Sequence, residues 1–176
     1  MNKPSRKNSV DMFTLVRNED LFYLPNEESL FTGYYHWYYE NGTIAEEGHI
    51  KNGRYHGKIK IYNEAGDLLV SANYRNGKKY GFTQTYYTSG QLKAEFTLIN
   101  EKREGRMSVW YENGNKKYDA FFKNDKLNGR QVKYYQNGRK YLEAEFRENL
   151  EHGEKTVWKE NGELLFRGIF EDGELC

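Results

Sequence analysis

Cysteine is almost missing from this chain of 176 residues: the single one, Cys176, is the last residue. That excludes an intrachain disulfide and a thiolate metal cage. The ending Gly-Glu-Leu-Cys is not a prenylation box, which would place the cysteine four residues from the end. Long apolar runs are missing too. Met12 to Val16 contains a threonine and is too short for a signal-peptide core, and nothing approaches a membrane span. A soluble, cytoplasmic protein is expected. There is no excess of charge, since 27 Lys+Arg stand against 26 Asp+Glu for a net +1. A general nucleic-acid binder needs a basic surplus to displace counterions, so nucleic acid is excluded as a partner. Leu, Ile, Val and Phe together number only 36. That content borders on disorder, but 16 Tyr, 10 Phe and 3 Trp argue for a folded chain of short aromatic strands.

Glycine is what the sequence has, and it is periodic. Gly33, Gly57, Gly81, Gly105, Gly129 and Gly153 are spaced by 24 residues, and Gly42, Gly66, Gly90, Gly114, Gly138 and Gly162 follow nine residues later. A third phase reads Gly53, Gly77, Glu101, Asp125, Asn149 and Gly173, and Gly48 and Gly168 share a fourth. All 17 glycines obey the one period, which defines six copies from residue 33 to residue 176.

Each copy reads as a β-hairpin. The second glycine closes a polar turn such as Glu40-Asn41-Gly42, where a positive φ is needed. Beyond it apolar and polar residues alternate, as in Leu92, Ala94, Phe96 and Leu98 against Lys93, Glu95 and Thr97, so one strand face is buried. An aromatic ring stands five residues after each first-series glycine: Tyr38, Tyr62, Tyr86, Trp110, Tyr134 and Trp158. A three-residue loop puts these rings on the same face as the alternating apolar set, which buries both together, and the third-phase turns admit the same geometry. Glu101 is the misfit there, so a distorted or strained turn is expected. The architecture that follows is all-β: an elongated antiparallel β-hairpin repeat array of about twelve strands. Rings lie over a column of small residues, Gly48, Ala72, Ala120, Ala144 and Gly168, with Phe96 as the exception. Charges Glu163, Arg167, Glu171 and Asp172 guard the last strand against edge-to-edge pairing.

Copies of the form Gly-…-Tyr-Tyr-Glu-Asn-Gly-…-Lys-Asn-Gly resemble the bacterial MORN-repeat variant, a group labelled YwqK-type antitoxin-like proteins. Leu21-Phe22-Tyr23-Leu24-Pro25-Asn26 before Phe31-Thr32-Gly33 is similar to the lead-in of that family. The resemblance implies six MORN-like repeats over residues 33–176, a capping lead-in over 18–32 and a poorly ordered N-terminal tail over 1–17. It further implies a scaffold for protein–protein interaction, with antitoxin-like neutralisation of a partner, or else a peripheral phospholipid-binding module. Kinase names attached to some relatives do not carry over, because the chain has no kinase glycine loop, lysine strand or metal-binding aspartate.

No catalytic residue, cofactor or metal site is expected. The histidines, His36, His49, His56 and His152, read as surface or loop residues, and the carboxylates fall at turn and outward strand positions. The candidate protein-contact surface is a second aromatic row one residue beyond the first: Tyr39, Tyr87, Tyr111 and Tyr135, broken by Asn63 and Lys159. Strand alternation turns this row away from the first, together with Trp37, Ile61, Val109 and Val157. For the lipid reading the candidates are Lys51, Arg54, Arg75, Lys78 and Lys79, clustered at one set of turns and continued by Lys102, Arg103 and Lys126.

Overall fold

The computed structural model describes residues 9–176. The chain divides into two compact units, residues 1–81 and 82–176. In the first unit, β4 (Gly33–Tyr38), β5 (Ile44–Lys51), β6 (Arg54–Tyr62) and β7 (Leu68–Arg75) pair in sequence order, each antiparallel to the next. β8 (Lys78–Tyr86) spans the division at Gly81. In the second unit follow β9 (Leu92–Ile99), β10 (Lys102–Arg103), β11 (Gly105–Trp110), β12 (Lys116–Lys123), β13 (Lys126–Tyr134), β14 (Lys140–Arg147), β15 (Leu150–Trp158), β16 (Leu164–Glu171) and β17 (Glu174–Leu175). From β11 to β17 each strand again pairs antiparallel with its successor. The hairpin array read from the glycine spacing is therefore present, two long strands to a copy.

The lead-in is built differently. β1 (Ser9–Asp11) pairs parallel with β4, and a 3₁₀ turn at Met12–Thr14 follows, its first amides capped by the Asp11 carboxylate accepting from Phe13 N at 3.1 Å. β2 (Val16–Asn18) and β3 (Leu21–Tyr23) form a small hairpin. Leu15, Phe22 and Phe31 bury against Tyr35, Ile50 and Ile59, the main apolar cluster of this unit. Residues 9–17, read from the sequence as part of a tail, are thus tied to β4 by strand pairing and by Leu15. Residues 1–8 of that expected tail lie outside the described residues.

The two kinds of turn differ. Gly42 donates to Tyr39 O at 2.9 Å and Tyr39 N to Thr43 O at 2.8 Å, enclosing Glu40-Asn41-Gly42 as a three-residue loop with Gly42 at φ 81°. Tyr38 consequently pairs with Ile44, and Tyr62 with Leu68. The other turn, expected to share this geometry, has only two residues. Lys51 pairs with Arg54 around Asn52 and Gly53, and both are left-handed, φ 50° and 69°. That is a type I′ turn, whose twist matches the flanking strands. Phase is then recovered by a bulge: the pairing runs from His49↔His56 to Glu47↔Lys60, with Gly57 at φ 74° inside the step. Gly129 and Gly153 sit inside the same step, at φ 106° and 114°, so these members of the first glycine series mark bulges, which the spacing alone does not reveal. Glu101 takes φ 64° and closes its turn like its counterparts, with Lys102 opposite Ile99. The irregularity appears three residues later, where Glu104 separates β10 from β11.

Candidate functional site

The outer tyrosines stand at the ends of the first hairpin strands, just before the three-residue loops. Each is half-buried, and each hydroxyl donates to a backbone carbonyl 23 residues further along. Tyr39 reaches Tyr62 O at 2.8 Å, Tyr87 reaches Trp110 O at 2.8 Å, Tyr111 reaches Tyr134 O at 2.8 Å and Tyr135 reaches Trp158 O at 3.0 Å. One copy is thereby tied to the strand end of the next. Turn asparagines run a parallel ladder, Asn41 Nδ2 to Glu64 O at 3.0 Å and Asn113 Nδ2 to Gln136 O at 2.9 Å. At the two breaks in the row the side chains stay within their own turn. Asn63 bonds Asp67 at 3.0 Å, and Lys159 pairs with Glu163 at 3.1 Å.

The rings of this row have a second set of neighbours that the sequence reading missed. Lys93 Nζ lies 5.4 Å from the Tyr87 ring centroid, Lys117 Nζ lies 5.3 Å from that of Tyr111, and Tyr141 stands 5.3 Å from Tyr135. These partners all sit six residues after their tyrosine, just past the loop. The signal was therefore present as a constant offset, visible only once the loop length is fixed. Trp37 joins Tyr39 at 6.5 Å but is also met edge-on by Phe13 at 6.0 Å. It is 38% exposed.

The rest of the expected outer face is corrected. Ile61 pairs directly with Val70, Val109 with Tyr118 and Val157 with Phe166, so these residues share the face of the alternating apolar set. The register shift at Ile61/Tyr62, and its equivalents at Val109/Trp110 and Val157/Trp158, breaks simple alternation at that point. The first aromatic column is half-buried rather than buried, Tyr38 being 37% exposed. Full burial belongs to Tyr35, Ile50, Ile59 and the small residues Ala72, Ala120 and Ala144. At Gly48 a Cβ would lie 2.3 Å from Ile59 Cδ1, so here an isoleucine covers the small-residue column.

The basic turn edge divides by unit. In the second unit its cations are matched by acids one copy later: Arg103 by Asp125 at 2.8 Å, Lys126 by Glu148 at 2.7 Å and Arg147 by Asp172 at 2.8 Å. In the first unit the turns are Asn-Gly and offer no acid. Lys51 and Arg54 face each other with no ion pair among the described residues, and Arg75 lies 4.0 Å over the Tyr80 ring. Lys78 and Lys79 follow on the exposed start of β8.

Carboxylates elsewhere are occupied. Arg106 and Ser108 bond Asp119, Arg130 and Lys140 bond Glu143, and Arg167 bonds Glu154. Burial alone would raise the Asp119 carboxyl, but hydrogen bonds from Arg106, Ser108 and Lys116 outweigh it and hold the group at about 2. The charges expected to guard the last strand are likewise tied inward, Arg167 to Glu154 and Asp172 to Arg147. Tyr35 donates to Glu46 at 2.6 Å, and burial with that carboxylate pushes its phenol well above the ordinary range. No helix among the described residues is long and apolar enough to cross a membrane.

Residues 31–52, 55–76, 83–100 and 103–124 match the family described as the MORN repeat variant. No curated protein matches the chain. The last two copies lie outside the matched segments yet keep the same ties, as Tyr135 to Trp158 O shows.

Proposed function

We propose that this array of MORN-variant repeats is a non-enzymatic scaffold that holds a protein partner, as an antitoxin holds the target it neutralises, in the bacterial cytoplasm. The supporting observation is the row Tyr87, Tyr111 and Tyr135 with Lys93, Lys117 and Tyr141 against its rings. Rings tethered through their hydroxyls have lost their rotamer freedom before any partner arrives, so contact with them costs little further entropy. The flanking ammonium groups suit a partner that presents carboxylates. Tyr39 and Trp37 make the equivalent ledge in the first unit.

Affinity capture with mass spectrometry tests this reading through the exposed lysines, because changing the tyrosines would also cut the ties. The double variant Lys93→Glu/Lys117→Glu is expected to lose the captured partner by about tenfold or more, with its thermal unfolding unchanged. Undiminished capture would show that the ledge is not the contact surface.

A second reading, peripheral binding to anionic phospholipid, is favoured by one observation only: Lys51 and Arg54 lack the acids that neutralise the equivalent turns of the second unit. With Arg75, Lys78 and Lys79 they would meet the headgroups. Flotation with phosphatidylserine vesicles should then weaken steeply as salt rises, and vesicles that fail to lift the protein at low salt remove this reading.

A further inference from the structure

The first type I′ turn sets two imidazoles against one another. His49 on β5 and His56 on β6 are a direct cross-strand pair, the arrangement in which Cβ atoms stand about 5 Å apart. Their ring centroids are 6.5 Å apart. Two imidazoles ligating one ion from opposite sides need centroids roughly 6 Å apart, given nitrogen–metal distances of about 2 Å. The pair therefore stands near ligating separation with both strands where they are. Tyr34 meets the His49 ring edge-on at 5.0 Å and fixes its orientation. His56 Nδ1 is buried and has no hydrogen-bond partner among the described residues.

The repeat supplies its own comparison. The two equivalent places hold Asn73 and Tyr80, Thr97 and Glu104, Phe121 and Asn128, and Glu145 and His152 in the later copies. The hairpin closes without an imidazole at either place, so turn chemistry does not account for two. His152 shares the phase of His56, but its Nδ1 lies 2.9 Å from the Arg147 guanidinium and 3.4 Å from Asp172. That imidazole is already engaged.

We propose that His49 and His56 together hold one divalent transition-metal ion of the zinc, nickel or copper class, with water or an external ligand in the remaining positions. Among the described residues no group of three or more His, Cys, Asp or Glu side chains could hold a metal ion. Two imidazoles fill only two positions, so such a site exchanges its ion readily. Lys51 and Arg54, paired two positions further along the same strands, weaken it by like charge.

The test uses the full chain and Ni²⁺ as the probe, followed by calorimetry and by the histidine ring signals in NMR. One saturable ion per chain is expected, with the His49 and His56 signals broadened and that of His152 untouched. His49→Asn and His56→Asn place at each site a residue that a later copy already carries there, Asn73 and Asn128, so folding is expected to survive; each should weaken binding by about tenfold or more. His152→Asn should leave binding unchanged. Absence of saturable binding, or binding that survives both substitutions, or an equal loss in His152→Asn, overturns the proposal.

Discussion

A tyrosine hydroxyl that donates to a carbonyl 23 residues away is a small bond with a defined worth. Removing it from Tyr111 alone, as Tyr111→Phe, keeps the ring over Lys117 and strands the Tyr134 carbonyl. A loss of about 1 kcal/mol in denaturant-derived stability is expected, the usual net worth of one intramolecular hydrogen bond. Glycines separate by cause in the same way. At Gly114, φ is 85° and a Cβ would meet nothing within 4 Å, so Gly114→Ala carries only the left-handed backbone penalty, about 1–2 kcal/mol. Gly48 has an ordinary φ but no room, with Ile59 Cδ1 at 2.3 Å and its Cα at 3.3 Å. Gly48→Ala must push a buried side chain and part of β6, with an expected cost of about 1–3 kcal/mol from overpacking. Equilibrium unfolding of the two variants distinguishes these causes, because adding a second substitution, Ile59→Val, should relieve only Gly48→Ala.

At the scale of elements, the hairpins β11–β12, β13–β14 and β15–β16 are each stitched by a charged pair across their exposed face, and the stitching depends on pH. The Asp119 carboxyl is held at about 2 in the folded protein against an ordinary 3.8. A depressed carboxylate stabilises the fold fully above its unfolded value, and that contribution is lost as pH falls through the folded one. Thermal unfolding should therefore decline between about pH 4 and pH 2, and Asp119→Asn should flatten that part of the profile. Hairpins were also the level at which the sequence was most legible. Gly42 and its equivalents announced the three-residue loops, and the pairing of Tyr38 with Ile44 follows from them. What escaped was the cause of the other glycine series. Gly57 sits in a bulge that compensates a two-residue turn, and a period of 24 residues is equally consistent with either arrangement of loops and bulges. The register shifts beside the three-residue loops, at Ile61/Tyr62, Val109/Trp110 and Val157/Trp158, put Ile61, Val109 and Val157 on the packed face, which strict alternation could not foresee. The tyrosine row was legible as a row. Its ties were not, because a hydroxyl's acceptor on the next copy leaves no mark in composition.

For the molecule as a whole, the residue at the middle of each first strand sets how dry a copy is. That place holds Tyr35, Ile59, Thr83, Met107, Gln131 and Lys155 in order, a drift from apolar to charged. Tyr35 and Ile59 are buried in the cluster closed by Leu15, Phe22 and Phe31, whereas Lys155 needs Glu151 at 2.6 Å to offset its charge. Amide exchange should accordingly be slowest in β4, β5 and β6 and fastest in β15 and β16, because repeat arrays open where the local core is poorest. The same ties that join copies also make the proposed contact ledge rigid, and that double role is the centre of the account. It is tested most directly by the triple variant Tyr87→Phe/Tyr111→Phe/Tyr135→Phe, whose dissociation from the captured partner is timed beside the unaltered protein. The rings remain, so binding should persist but release should be about tenfold faster, with quicker amide exchange at Trp110, Tyr134 and Trp158. Release and exchange both unchanged would contradict the account.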